Sequence, residues 1–279
     1  MIFSATHTTT YRYENPVFLE PQTIRLKPRT NGMQQLLNFT IDISPHPAGL
    51  TECRDLDGNM EHVAWFNGMT DCFVVTVNSK VVTFCTNPFA FLLKEEATRL
   101  PLSREGRCLS TVKPYLSDTT EPEVATFSNQ IAAEANWDTL TFLQLLNERL
   151  YATCVVILRE EGPPYEPSKT LRERRGACRD LTWLFMACCR SQGIGSRFVS
   201  GYHEGFPNSK NYLHAWAEVY LPGAGWKGFD PTVGLAIADR HVALAAGPRA
   251  DSAAPVSGSF RGEGKSMMVS NLELSVTAS

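Results

Sequence analysis

The sequence predicts an α+β fold in two parts: a β-sandwich over residues 1–85 and a mixed helix-and-sheet unit over residues 121–279, joined by a connector at 86–120. Three observations carry this reading. The first stretch is a succession of short runs rich in β-branched and aromatic residues, punctuated by turn-forming dipeptides. The second holds amphipathic patterns of helical period. After them come two short aromatic strands joined by Pro222-Gly223-Ala224-Gly225.

Taken in order, Thr8-Thr9-Thr10-Tyr11-Arg12-Tyr13 and Val17-Phe18-Leu19 read as strands with Glu14-Asn15-Pro16 as the turn between them. Leu37 to Ile43 alternates apolar and polar residues, the period of a strand with one buried face. Asp55-Leu56-Asp57-Gly58-Asn59 and Asn67-Gly68 are turn signals. Phe73–Val77 and Val81–Phe84 are two further strands. Many short strands of this kind are the signature of a sandwich. The connector is marked by Asn87-Pro88, Leu100-Pro101 and Lys113-Pro114.

Helices are expected from Pro122 to Ala135 and after Asp138, a good N-cap. The second aligns Leu140, Leu143, Leu146, Leu150 and Cys154 on one stripe, and Gly162-Pro163-Pro164 ends the pattern. A third begins at Cys178, with Leu181, Leu184, Phe185 and Cys188 at three- and four-residue spacing and Gly193 suited to its C-terminal end. Arg197–Ser200, His214–Leu221 and Trp226–Asp230 read as strands. The Gly-, Ser- and Ala-rich stretch Gly247–Lys265 reads as a mobile loop, with a closing strand over Met267–Leu274.

Composition narrows the function. The chain is 43% hydrophobic and 20% charged, ordinary for a globular protein. A net charge of −3 gives no electrostatic footprint for nucleic acid or an anionic membrane surface. No apolar run is long enough to span a bilayer, and the first residues lack the basic and apolar blocks of a secretory signal, so a cytoplasmic protein is expected. Of the eight cysteines, none forms a C-x-x-C pair or has a histidine at zinc-finger spacing, so no metal or cofactor is expected.

Seven of those cysteines have no context beyond packing. Cys178 has one. A thiol at a helix start meets unpaired backbone N–H groups and the positive end of the helix dipole, and both favour the thiolate. His214 follows on a strand whose alternation places His214, Trp216, Glu218 and Tyr220 on one face. Trp226, Gly228 and Asp230 share a face of the next. If Asp230 lies opposite Trp216, then His214 and Asp230 are diagonal neighbours roughly 7 Å apart at their β-carbons, within reach of an imidazole–carboxylate bond. A one-residue slip would place them on opposite faces. Cys178, His214 and Asp230 are therefore the candidate catalytic residues, as nucleophile, general acid–base and orienting carboxylate.

The same segments resemble a known family. Arg175-Gly176-Ala177-Cys178-Arg179-Asp180, Phe198-Val199-Ser200-Gly201-Tyr202, His214-Ala215-Trp216-Ala217-Glu218-Val219 and Gly228-Phe229-Asp230-Pro231-Thr232 look like the bacterial transglutaminase-like superfamily. Thr9–Tyr13 and Pro21–Arg29 resemble the β-rich region that precedes its core. The resemblance implies a papain-like core with a Cys–His–Asp triad, and a substrate that is a protein, peptide or amide. Many members carry Tyr-Asp in a loop after the triad, where this chain reads Ala250-Asp251-Ser252, a difference that bears on the substrate cleft. Arg174, Arg175 and Arg179 read as surface charges, Asp180 as a helix-start or loop-holding carboxylate, and His203-Glu204 as a surface loop. Three readings stay open: a cysteine protease or amidase, a transglutaminase that passes the acyl group to an amine, and a silent binding module.

Overall fold

The computed structural model describes residues 1–102, 109–116, 121–159, 162–205 and 210–278. β1 (Ile2–Leu19) is one long strand, where the sequence suggests two. The expected turn at Glu14-Asn15-Pro16 is instead a register shift between Arg12 and Val17. A bulge accommodates a proline, which has no ladder N–H, without ending the strand. β2 (Gln22–Ile24), β3 (Gln34–Ser44), β4 (Gly49–Arg54), β5 (Met60–Trp65) and β6 (Met69–Thr83) follow. β6 likewise merges two expected strands. In β3 a bulge between Leu36 and Asn38 breaks the alternation, so Leu37 is 50% exposed while Ile43 is buried.

These strands form two sheets, β3-β6-β1 and β2-β5-β4, which enclose Phe3, Leu19, Ile24, Leu26, Phe73 and their neighbours. The connector is not a passive tether. Ala97, Leu100 and Leu102 are buried in the core of the second unit. α1 (Leu109–Val112) is a single turn, followed by α2 (Pro122–Glu134) and α3 (Thr139–Thr153). Asp138 caps α3 by accepting from the Thr141 N–H at 2.8 Å, and Leu143, Leu146 and Leu150 of its stripe are fully buried.

β7 (Val155–Val156) and β8 (Arg175–Gly176) form a short parallel pair flanking α4 (Pro167–Glu173). β8 leads into α5 (Cys178–Ser191). α5 ends in a Schellman motif: the Ile194 N–H donates to the Cys189 carbonyl at 3.0 Å and the Gly193 N–H to Arg190 at 2.9 Å, with Gly193 at φ 75°. The second unit's sheet comprises β9 (Ser196–His203), β10 (His214–Leu221), β11 (Gly225–Asp230), β12 (Leu235–Ala236) and β13 (His241–Gly247), in the antiparallel order β12-β11-β10-β9-β13. Ala215, Ala217, Val219 and Leu221 pack against the helices with Phe185 and Cys188 of α5. On the other face Trp216 packs with Val199, Ile237, Ala243 and Ala246.

The C-terminal segment corrects two expectations. Gly247–Lys265 is not a mobile loop, and the closing strand does not belong to the second unit. β14 (Val256–Ser257) pairs with β2, and β15 (Phe260–Arg261) and β16 (Ser266–Thr277) pair with β1, β16 in a ladder from Ile2↔Thr277 to Tyr13↔Ser266. β1 offers β6 only one of its edges. The other edge is a row of unpaired backbone groups until the C-terminus returns to cover it. No helix among the described residues is long and apolar enough to cross a membrane.

Candidate active site

The start of α5 is built around Asp180. Its carboxylate is fully buried, with Oδ2 accepting from the Ala177 N–H at 2.7 Å, half of a capping box. Oδ1 accepts from the Tyr165 N–H at 2.8 Å and from the Arg159 guanidinium at 2.5 Å. One side chain thus caps the helix and ties Arg159 and Tyr165 to it, so both expected roles meet at this residue. Gly176 leaves the necessary room, because a β-carbon there would lie 2.7 Å from that of Asp180.

Cys178 sits at the first helical position, partly exposed. Burial pushes its thiol up, but the hydrogen bond and charge of His214 and the backbone N–H of Ala215 outweigh it and hold the thiol below its usual range. Cys188 and Cys189, deeper in the same helix, are pushed up by burial and are inert. Cys108 lies outside the described residues.

β10 and β11 pair as Ala217↔Phe229 through Leu221↔Gly225, a register that sets Asp230 across from Trp216. His214 and Asp230 are joined by a 2.6 Å bond from Nε2 to Oδ2, leaving Nδ1 for the thiol. Desolvation opposes charging the imidazole, yet Asp230 and the thiol together raise His214 to about 10. Burial alone would raise Asp230, but His214 and His241 hold it well below the carboxylate range. All three shifts favour the charged forms, thiolate, imidazolium and carboxylate in a row.

Two partners of Asp230 were not foreseen. Thr232 donates to Oδ1 through its N–H at 2.9 Å and its hydroxyl at 2.6 Å. His241, on β13, reaches Oδ2 with Nε2 at 3.0 Å. Thr232 was within reach of the sequence, two residues past Asp230 in an Asx-turn position. His241 was not: only the β13–β9 register, His241↔His203, brings it to the site. His203 ends β9 rather than lying in a loop, its ring 5.6 Å from His214 and 4.7 Å from His241. Glu204 is paired with Arg240 at 2.9 Å.

Trp226 packs at the far end of the hairpin beneath the Arg197 guanidinium, 4.1 Å from its ring. Trp183 packs against the helical core. Among the described residues, His214, Asp230 and His241 are the one group with ligand atoms close enough for a metal, within 4.8 Å of one another. A zinc ion would set neighbouring ligand atoms about 3.3 Å apart. The separations of 2.6 and 3.0 Å are those of shared protons.

Residues 3–82 match the bacterial transglutaminase-like N-terminal region, and residues 126–231 match the transglutaminase-like superfamily. The uncharacterized protein ML0607 of Mycobacterium leprae is 30% identical over 265 residues, spanning 92% of each chain. The chain belongs to the transglutaminase-like superfamily. A further relative, the uncharacterized protein Rv2569c of Mycobacterium tuberculosis, is 25% identical over 88% of this chain and 83% of its own. The transglutaminase-like fold is shared with a candidate cysteine protease from Cytophaga hutchinsonii, at a TM-score of 0.72 and 20% identity over all of this chain and 92% of that one. The transglutaminase-like core match contains Cys178, His214 and Asp230 but stops short of His241.

Proposed function

We propose that this protein is a thiol acyl-transfer enzyme that cleaves a peptide or carboxamide bond through a thioester, with Cys178, His214 and Asp230 as its triad. The observation that carries the reading is the continuous chain from a partly exposed, acidified thiol to a carboxylate bonded to the imidazole at 2.6 Å. Cys178 Sγ adds to the carbonyl carbon, forming a C–S bond and a tetrahedral oxyanion. The Cys178 N–H, free at the first turn of α5, is suited to receive that charge. His214 then gives its Nδ1 proton to the departing nitrogen as the C–N bond breaks, leaving a thioester and ammonia or an amine. Water, deprotonated by the now neutral His214, attacks the thioester and releases the acid and the thiol. Asp230 keeps the imidazole in the required tautomer throughout.

A transglutaminase would differ only in the last step, where an amine replaces water. Hydrolysis is the reading we favour. Substrates are accordingly proteins, peptides or amides. Iodoacetamide at neutral pH should alkylate Cys178 ahead of every other thiol, and His214→Ala should remove that selectivity. Uniform slow labelling of all the cysteines would instead mark a silent binding module. Incubation with casein and a fluorescent amine then separates the two enzymes: unlabelled fragments indicate hydrolysis, and labelled casein indicates transfer.

A further inference from the structure

We infer that His241 is a positioning residue of this site: its Nε2–H, donated to Asp230 Oδ2, fixes the carboxylate in the orientation that His214 requires. The inference rests on the thiol acyl-transfer reading above and adds to the triad a fourth member, from a strand beyond the segment that matches the superfamily core.

The geometry is specific. Asp230 Oδ2 lies between two imidazoles, His214 Nε2 at 2.6 Å and His241 Nε2 at 3.0 Å, while Oδ1 is held by both donors of Thr232. All four donors converge on one fully buried carboxylate. Without His241, Oδ2 would be held by the general base alone. The carboxylate could then follow the imidazole as it moves between thiol and leaving group, where the chemistry needs it to stay fixed. His241 is itself 4% exposed and packs edge-on against the buried Trp216 ring, with centroids 5.1 Å apart. It opens β13, whose outer edge is held by side chains from the sandwich, so its position is set from both sides.

The surroundings favour a neutral ring that donates. The groups facing His241 are Asp230 from β11, His214 from β10, His203 from β9 and the Glu204–Arg240 pair beside it. Burial, with His214 beside it, keeps His241 below the usual histidine range despite the pull of Asp230. A neutral imidazole with its proton on Nε2 satisfies the carboxylate and adds no second cation to compete with His214.

Three variants separate this role from simple packing. His241→Phe keeps the ring and removes the donor. His241→Gln restores an N–H close to the position of Nε2. His241→Ala removes both. Cys178 alkylation and turnover should fall on the order of tenfold in His241→Phe, the weight of one hydrogen bond to a charged group. The loss should appear in kcat with KM unchanged, and His241→Gln should recover most of it. Equal rates in His241→Phe and the wild type would overturn the inference, as would a deficit in His241→Gln as deep as in His241→Phe. A wild type without selective Cys178 labelling would sink the enzyme reading itself, a different outcome from either.

Discussion

At the scale of single residues, this site depends on buried charges that are each matched by several donors. Asp180 shows the principle away from the chemistry. Its fully buried carboxylate meets the Ala177 and Tyr165 N–H groups and the Arg159 guanidinium. Asp180→Ala should therefore destabilise the fold by about 3 kcal/mol, because the Arg159 guanidinium, the Tyr165 N–H and a helix-start N–H each lose a buried carboxylate acceptor. Urea unfolding measures the loss, and a shift below 0.5 kcal/mol, roughly the scale of a surface substitution, would refute the assignment. The sequence placed Asp180 at the start of the helix, but it could not name Arg159 or Tyr165, which arrive through a loop containing Gly162-Pro163-Pro164.

At the scale of elements, the sheet is set by how closely its strands approach. Gly201 of β9 lies under the rim of Trp216, and a β-carbon there would sit 2.1 Å from the Val242 carbonyl oxygen and 2.4 Å from the indole. Since the first neighbour is backbone, Gly201→Ala should force β9 and β13 apart and cost about 3 kcal/mol. The same displacement should carry His241 away from Asp230, so Cys178 labelling should slow in step with stability. An unchanged thermal midpoint would show that the strands can yield. α3 was legible from its Asp138 cap and apolar stripe, and α5 from its stripe and the terminating Gly193. The bulges in β1 and β3 were not, because an extra residue in a ladder leaves the composition of the strand unchanged.

At the scale of the whole molecule, the sandwich and the second unit are joined by polar side chains that stand in for a strand. The Gln34 amide exchanges hydrogen bonds with Ala243 of β13, at 2.7 and 2.9 Å, and the Asn59 amide does the same with Ala246, at 2.8 and 2.7 Å. His7 of β1 is 1% exposed between the Tyr202 hydroxyl at 3.2 Å and the Ser270 hydroxyl at 2.9 Å. Burial holds it down to about 4, below its unfolded value of about 6.5. The unfolded chain therefore binds the proton first. The stability contributed by neutral His7 is complete above pH 6.5 and is lost as the pH falls towards 4, by about 3 kcal/mol. His203, also lowered to about 4, acts in the same direction. His214 acts oppositely: raised to about 10, its contribution is complete below pH 6.5 and fades only on the alkaline side. Unfolding free energies measured at pH 7 and pH 4.5 should thus converge in His7→Gln relative to the wild type. An identical acid loss in both proteins would remove His7 from the account.

The sequence by itself determined the class of fold, the helix that presents Cys178 and the strands that carry His214 and Asp230, because those features follow from local periodicity, caps and turns. The hairpin register was left open by the sequence, which offered two facings, and the strand pairing chose the one that joins the imidazole to the carboxylate. Tertiary structure alone decided that the C-terminal strand returns to β1 and that His241 shares the carboxylate of Asp230. Both are pairings between distant strands, where an edge or an oxygen is completed by whatever the fold brings to it, and no short stretch of sequence encodes that meeting.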